Sequence, residues 1–248
     1  MARIAAIYRH PVKAIGVEPL AEVTLRAGCT LPGDRAWAVA HEAARLDGEG
    51  HWAPCLNFLR GAGAPELMAA RVETDAAGGR VTFTHPGRPK ISLDPERDGQ
   101  SLIDWVAALV PDGRARPARL VRAEGRGMTD TPFPSVSLLS LASLAALSRA
   151  AGRELSPLRF RGNLWLEGLA PWEEFAWMGR EIRLGEARLR IVERIERCLA
   201  TAADPETGRR DTDTLGLLEA HLGHRDFGLY AEVVRDGRVA RGDRAELL

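Results

Sequence analysis

The densest chemistry in this chain lies in one run, Glu196-Arg197-Cys198-Leu199-Ala200-Thr201-Ala202-Ala203-Asp204-Pro205-Glu206-Thr207-Gly208. It places a thiol at the end of an apolar strand. It then enters Asp-Pro-Glu-Thr-Gly, whose Asp, Pro and Gly favour turns. Arg194 and Arg197 flank that thiol, and cations near a cysteine favour the thiolate, the form that binds soft metals or attacks sulfur. The plainer alternative is a buried structural cysteine, the common fate of a free Cys. A second run, Arg159-Phe160-Arg161-Gly162-Asn163, puts two guanidiniums and an amide where they can seat an oxyanion or phosphate; alone, it reads equally as a solvated basic loop. A third, Tyr8-Arg9-His10-Pro11-Val12-Lys13 with Gly33-Asp34-Arg35 after it, adds Lys13 and Arg35 as further anion contacts.

Other candidates carry less. Cys29 follows a glycine in a turn and Cys55 lies in a loop, and both read as inert thiols. His221 and His224 have i, i+3 spacing but no third ligand, the pattern of a surface helix end. Trp165, Trp172 and Trp177 read as packing or lid residues. The sequence contains no G-x-x-x-x-G-K-[ST], G-x-G-x-x-G or G-x-S-x-G run, which leaves nucleotide binding and serine hydrolysis without support.

The elements that must position these residues belong to an ordinary globular chain. Its 248 residues are 45% hydrophobic and 27% charged, with 34 basic and 34 acidic side chains. A zero formal charge argues against electrostatic binding to nucleic acid or membrane. Lys13 and Lys90 are the lysines of an otherwise arginine-based set; a retained Lys can mark a site that needs a compact ammonium, and Lys90 falls in a predicted loop, His85 to Lys90. Three cysteines without metal-type spacing fit a reducing compartment. No signal-peptide core follows Met1, and Leu138 to Leu147 is too short to span a bilayer, so a cytoplasmic location is expected.

Alternation predicts strands at Arg3 to Tyr8, Leu20 to Leu25, Ala36 to Ala40, Leu67 to Thr74 and Val81 to Thr84, with Gly78-Gly79 as a hairpin turn. Ser101 is the predicted N-cap of a helix from Leu102 to Leu109, stopped by Pro111. The Pro/Gly-bearing segment Pro111 to Pro117 divides the chain into parts 1–113 and 114–248. Beyond it, a strand at Ala118 to Ala123 precedes an irregular loop, Glu124 to Pro134. Leu138, Leu141, Leu144, Ala145 and Leu147 have helical spacing, giving a helix that ends near Gly152. Strands at Asn163 to Leu166, Glu181 to Leu184 and Ala187 to Glu193 follow, then a helix, Leu215 to Leu222, the strand Gly228 to Val234 and a C-terminal hairpin around Arg235 to Arg241. Many short strands with few helices predict an α+β, predominantly β fold: a β-barrel-like core with peripheral helices.

Taken in order, the three runs resemble the MOSC family, named after the C-terminal domain of molybdenum-cofactor sulfurases. His10-Pro11-Val12-Lys13-Ala14 is similar to the family's "YPVKS" and Gly33-Asp34-Arg35-Ala36-Trp37 to its "GDR-W". Phe160-Arg161-Gly162-Asn163 resembles "FRPN", and Arg197 to Gly208 resembles "RC--T--DP-TG". Phe227-Gly228-Leu229-Tyr230-Ala231-Glu232-Val233 and Gly237 to Asp243 resemble the terminal "FG-Y-EV … G-I--GD". The resemblance covers nearly the whole chain. It implies a smaller N-terminal MOSC β-barrel domain before the MOSC domain, as in the amidoxime-reducing type.

That resemblance implies the pterin form of the molybdenum cofactor held between the two parts. Cys198 is then the molybdenum ligand, and Lys13, Arg35, Arg161 and Asn163 lie at the pterin and its phosphate. Arg197 and Tyr230 are further cofactor contacts, and Asp204 shapes the loop. A thiolate suits a soft metal, and Arg and Lys suit a phosphate. Three positions depart from the pattern: Ala14 for Ser, Gly162 for Pro, which predicts a looser Arg161 loop, and Ala202 for a second Thr. The implied activity is reduction of N-hydroxylated or other N-oxygenated small molecules, with electrons from a separate protein. The alternatives are a sulfur carrier or sulfurtransferase using a Cys198 persulfide supplied by a sulfur donor, and a non-catalytic cofactor carrier.

Overall fold

The computed structural model describes residues 1–48, 50–75 and 79–248. Among the described residues, fifteen strands and three α-helices follow one another. β1 (Ala2–Arg9), β2 (Glu18–Leu20), β3 (Glu22–Leu25) and β4 (Trp37–His41) lead to β5 (Arg71–Thr74), β6 (Val81–His85), β7 (Arg88–Leu93), α1 (Gly99–Ala107) and β8 (Pro117–Arg122). Then come β9 (Val136–Ser140), α2 (Leu141–Ala150), β10 (Leu164–Glu167), β11 (Glu181–Leu184), β12 (Ala187–Glu196), α3 (Thr214–Leu222), β13 (Asp226–Arg235), β14 (Gly237–Ala240) and β15 (Arg244–Leu247).

Seven strands close a barrel in the order β10-β9-β13-β12-β11-β15-β1, sealed by antiparallel pairing of β1 with β10. The closing stave comes from the opposite end of the chain. Ala2 and Arg3 pair with Ala245 and Arg244 on one edge, and Arg3 to Ile7 pair with Glu167 to Leu164 on the other. Alternate residues of these strands, Ile4, Leu138, Leu164, Ile182, Leu189, Ile191 and Leu229 among them, fill the interior, as closure requires. A second core gathers Ile15, Val39, Leu67, Val72, Phe83, Leu102 and Val106 under the smaller sheets β4-β8 and β5-β6-β7 and helix α1. A third, with Leu139, Phe160, Trp165, Leu218 and Phe227, lies under α2 and α3. The protein is thus mostly β, with a closed barrel, smaller sheets and three α-helices.

Several expected elements differ. Leu138 belongs to β9, parallel to β10, and α2 starts only at Leu141, because Ser140 caps it by accepting the Ser143 N–H. Buried residues Val136 to Ser140 supply apolar side chains to both faces, so periodicity there does not separate strand from helix. α1 starts at Gly99 after Asp98, with Ser101 already inside its first turn. Pro65 to Ala69 is a 3-10 helix, which shortens the expected Leu67–Thr74 strand to β5. The expected loop containing Lys90 is β7, which pairs with β6. Leu20 to Leu25 is broken at Ala21 into β2 and β3. β14 pairs with β3, so the hairpin expected around Arg235 to Arg241 does not form with β13. Gly78 of the predicted Gly78-Gly79 turn lies outside the described residues.

Candidate functional site

A cleft of about 470 Å³ is lined from both the N-terminal segments and the barrel, with Lys13, Arg35, Arg161, Arg197, Cys198 and Tyr230 all in its wall. Cys198 follows β12 and stands in extended conformation before the 3-10 turn Leu199–Ala202, with its side chain exposed. Behind it, the 204–211 loop is fastened from within. Asp204 Oδ1 accepts the N–H groups of Glu206 and Thr207, a local turn of the kind Asp favours. Buried Arg159 donates to both oxygens of Asp211 (2.8 and 3.0 Å) and to Asp204 Oδ2 (3.2 Å). Arg159 is therefore a fastener of the cysteine loop rather than one half of a free anion seat. Gly208, at φ +70, lets that loop touch the N-terminal part, since a Cβ there would lie 2.5 Å from the Glu66 Cα.

The N-terminal run is knit to its partners by backbone. Lys13 N–H donates to the Trp37 carbonyl (2.8 Å), Arg35 N–H to the His10 carbonyl (2.6 Å) and Met128 N–H to the Arg35 carbonyl (2.8 Å). Ala14, Arg35 and Arg161 all have left-handed backbones at φ +64, +51 and +48. Such strain costs about 1–3 kcal/mol per residue and clusters where a site must be held in one geometry. All three line this cleft.

Electrostatics divide the cations into those already satisfied and those not. Lys13 Nζ is buried, donating to the Met128 carbonyl (2.7 Å) and to Asp130 Oδ1 (2.5 Å). Burial, helped by Arg35, lowers its pKa, and Asp130 opposes that shift. Burial pushes the Asp130 carboxyl up, but Lys13 and Arg35 bring it below the usual carboxylate range. Arg35 pairs with Asp34 and donates to the Arg161 carbonyl (3.0 Å). His10, buried and hydrogen-bonded to Asp34 through its ring Nδ1, is lowered to about 3 by burial and by Arg161, so it is neutral. Arg161 and Arg197 differ from these. Burial, then Arg35, takes Arg161 down to about 9; burial takes Arg197 down to about 10 against the pull of Tyr230 and Cys198. Arg197 donates to the carbonyls of Phe227 (2.7 Å) and Phe160 (2.9 Å). Yet Nη2 of Arg161, Nη2 of Arg197 and Nε of Arg159 are buried without a partner among the described residues, although both terminal nitrogens of Arg159 are taken by Asp211 and Asp204. Unpaired buried donors are costly, and here three of them belong to residues that line a cleft.

Asn163 stands outside the cleft lining. Its Oδ1 accepts from Ser137 N–H (3.1 Å) and Oγ (2.9 Å), and its Nδ2 donates to the Tyr8 carbonyl (3.2 Å). It pins β9 to β1, and Ser137 is the residue that faces the cleft. Gly162 does not loosen the Arg161 loop as expected. A Cβ there would lie 2.1 Å from Leu139 Cδ1, so the glycine lets Leu139 pack. A proline would also push the preceding residue toward extended backbone, away from the left-handed turn that Arg161 adopts.

The sequence reading missed Asp130, Thr131, Ser137, Arg60, Met68 and Cys55, all of which line the cleft. Asp130 lies in the irregular 124–134 loop, where no periodicity marks it; its one signal was a retained Lys13 in need of a counter-charge. Cys55, read as an inert loop thiol, is half-buried beside the same space.

A closed barrel carrying an exposed thiol at a strand end shares one cation-lined cleft with Lys13 and Arg35 of the N-terminal segment. Residues 129–246 match the MOSC domain and residues 1–115 the MOSC N-terminal beta barrel domain. The chain belongs to the MOSC-domain family. Mitochondrial amidoxime-reducing component 1 of Danio rerio is 36% identical over 240 residues, covering 80% of this chain and 68% of that protein. The Mus musculus protein of the same name is 28% identical over 127 residues, 46% of this chain and 37% of its own length. The molybdenum cofactor sulfurase of Anopheles gambiae is 25% identical over 194 residues, 69% of this chain and 25% of that protein. The chain thus spans well under half the length of the mouse and mosquito relatives.

Proposed function

We propose that this protein is a molybdenum-cofactor-dependent reductase of N-hydroxylated and related N-oxygenated compounds, with Cys198 as the molybdenum ligand. The observation that carries the reading is the exposed Cys198 thiol sharing one cleft with the two partnerless buried guanidinium nitrogens of Arg161 and Arg197. These residues fit the group: a thiolate is a suitable ligand for a soft metal, and buried guanidiniums without partners suit a phosphate-bearing pterin. When bound, the cofactor supplies a metal centre that exchanges two electrons and accepts oxygen.

Arg161 and Arg197 hold the anion, and Lys13 and Arg35 add positive charge while keeping their own partners. Asp34 fixes Arg35, and Asn163 fixes Ser137. Tyr230, whose pKa burial and Asp130 raise, keeps its hydroxyl proton and offers a donor to the ligand. Conversion of N–OH to N–H consumes two electrons and two protons and releases water. In this reading a separate redox protein delivers the electrons, since three free cysteines cannot ligate a four-thiolate cluster.

The test is metal and pterin analysis of purified protein, followed by benzamidoxime reduction with reduced methyl viologen. Stoichiometric molybdenum and pterin with turnover, both lost in Cys198→Ala, support the proposal. A mass increase of one sulfur on Cys198 with no bound metal would overturn it in favour of sulfur transfer. Cofactor held and surrendered to an acceptor without turnover would overturn it in favour of a carrier.

A further inference from the structure

One cleft cation remains unexplained by the anchoring of a cofactor. Arg60 lines the cleft from the N-terminal part and is exposed, whereas Lys13 and Arg159 are buried in its floor. Its guanidinium has neither an ion pair nor a side-chain hydrogen bond among the described residues. Its backbone is nonetheless fixed. Leu59 N–H donates to the Val39 carbonyl (2.9 Å), and the Arg60 carbonyl accepts from Gly63 and Ala64, both at 2.9 Å. Gly61 is wedged further: a Cβ there would meet Met68 Sδ at 2.6 Å and Ala200 Cβ at 3.1 Å. The segment therefore presses against the turn that follows Cys198, and Arg60 projects from a rigid base.

The wall around it is apolar. Leu59, Met68 and Ala200 line the cleft on this side. The other exposed cation of the lining, Arg194, is engaged, lying over the Phe175 ring at 4.3 Å and 3.8 Å from Asp226. Glu193 and Glu196 of β12 and the half-exposed Asp130 also reach the lining, so Arg60 is the exposed, unengaged cation left for a second anion once Arg161 and Arg197 hold the first.

We propose that Arg60 is a specificity-determining residue that selects, among small N-oxygenated compounds, those with an apolar body carrying a carboxylate. The inference rests on the reductase reading above. Leu59, Met68 and Ala200 receive the apolar body while the guanidinium takes the carboxylate, in the bidentate geometry that Arg favours.

The test compares benzamidoxime with 4-carboxybenzamidoxime on cofactor-loaded protein, using reduced methyl viologen. The charged compound is expected to have about a tenfold higher kcat/KM, the effect of one charge-assisted hydrogen bond of ordinary strength. The ratio should fall to about one in Arg60→Met and below one in Arg60→Glu. Equilibrium dialysis of both compounds without reductant should give the same order of affinities. If both are reduced with a ratio near one in wild type and variants, this inference is overturned and the reductase reading stands. If neither is reduced but the charged compound binds with Arg60-dependent preference, the reductase reading fails and the role of Arg60 stands. If Arg60→Met no longer holds molybdenum and pterin one to one, Arg60 serves the cofactor and the inference is overturned.

Discussion

Replacing Gly162 by alanine probes how the Arg161 loop is built. The added Cβ would sit 2.1 Å from Leu139 Cδ1 and 3.1 Å from its Cγ. Ordinary carbon contacts are about 3.5–4.0 Å, so the leucine would have to retreat by about 1.5 Å. It has nowhere to go: Leu139 is fully buried among Leu144, Phe160, Trp165 and Phe227, and Gly228 presses on it elsewhere, where a Cβ would lie 2.8 Å from its Cγ. Overpacking of this kind costs about 1–3 kcal/mol. Alanine in place of glycine restricts the unfolded chain and returns about 0.4–1 kcal/mol, because the Gly162 backbone is not left-handed. A net loss of about 1–2 kcal/mol is expected, read as a lower urea midpoint at unchanged slope. Leu139→Ala alone should cost about 2–5 kcal/mol through its cavity. In the double variant the clash has no second partner while the unfolded-state gain remains, so it should exceed Leu139→Ala in stability by about 0.4–1 kcal/mol, a coupling of about 1–3 kcal/mol. A neutral Gly162→Ala, or a double variant whose losses simply add, would refute the packing argument.

Two further outcomes follow from the same geometry. Pyrophosphate, a stand-in for a phosphate terminus, should raise the melting temperature of cofactor-free protein by about 3–6 °C at ten times its Kd, a linkage of about 1.4 kcal/mol. Differential scanning fluorimetry of Arg161→Gln should show that shift abolished; an equal shift would place the anion elsewhere. Glu174 is fully buried, with both oxygens within reach of the Ser143 hydroxyl (2.7 and 2.9 Å), and burial raises its pKa against that hydrogen bond. A carboxyl raised above its unfolded value subtracts stability as pH climbs from the unfolded pKa through the folded one. Glu174→Gln should therefore exceed wild type in stability at pH 7 and lose that advantage below pH 4, as urea titrations at the two values would reveal; a pH-independent difference would contradict this assignment.

The strands were largely legible because alternation follows from one wet and one buried face. β11 and α3, for example, lie where alternation and helical spacing put them. β9 was not, since both its faces are buried and a run such as Val136 to Ser140 carries no period. The partner of β14 was equally hidden: it pairs with β3 more than two hundred residues away, and turn chemistry speaks only of neighbours. At the site, residue type located Cys198, Lys13, Arg35, Arg161 and Arg197, and the family resemblance added Tyr230; all six share the cleft. What spacing could not say is which way a guanidinium turns. Arg159 and Arg161 stand two apart in a short turn, yet both terminal nitrogens of Arg159 are taken by Asp211 and Asp204 while Nη2 of Arg161 has no partner among the described residues. Arg161 ends that turn with a left-handed backbone, which no local pattern in an arginine-rich chain declares.

The stave that seals the barrel gives this protein a particular folding problem. Residues 2–9 leave the ribosome well before residues 164–167 and 244–247, which they need on either side. Until those arrive, an apolar strand waits with only its Ile7–Arg9 stretch paired, to β2, and the rest of its edges open, the situation in which nascent chains recruit chaperones or aggregate. Pairings of such long sequence separation slow folding. Lys13 follows that stave directly and Cys198 leads out of β12, so the cleft is assembled only when the barrel shuts. Ring closure is therefore the step that completes the cleft, and a chain whose barrel has not shut holds Cys198 apart from Lys13 and Arg35.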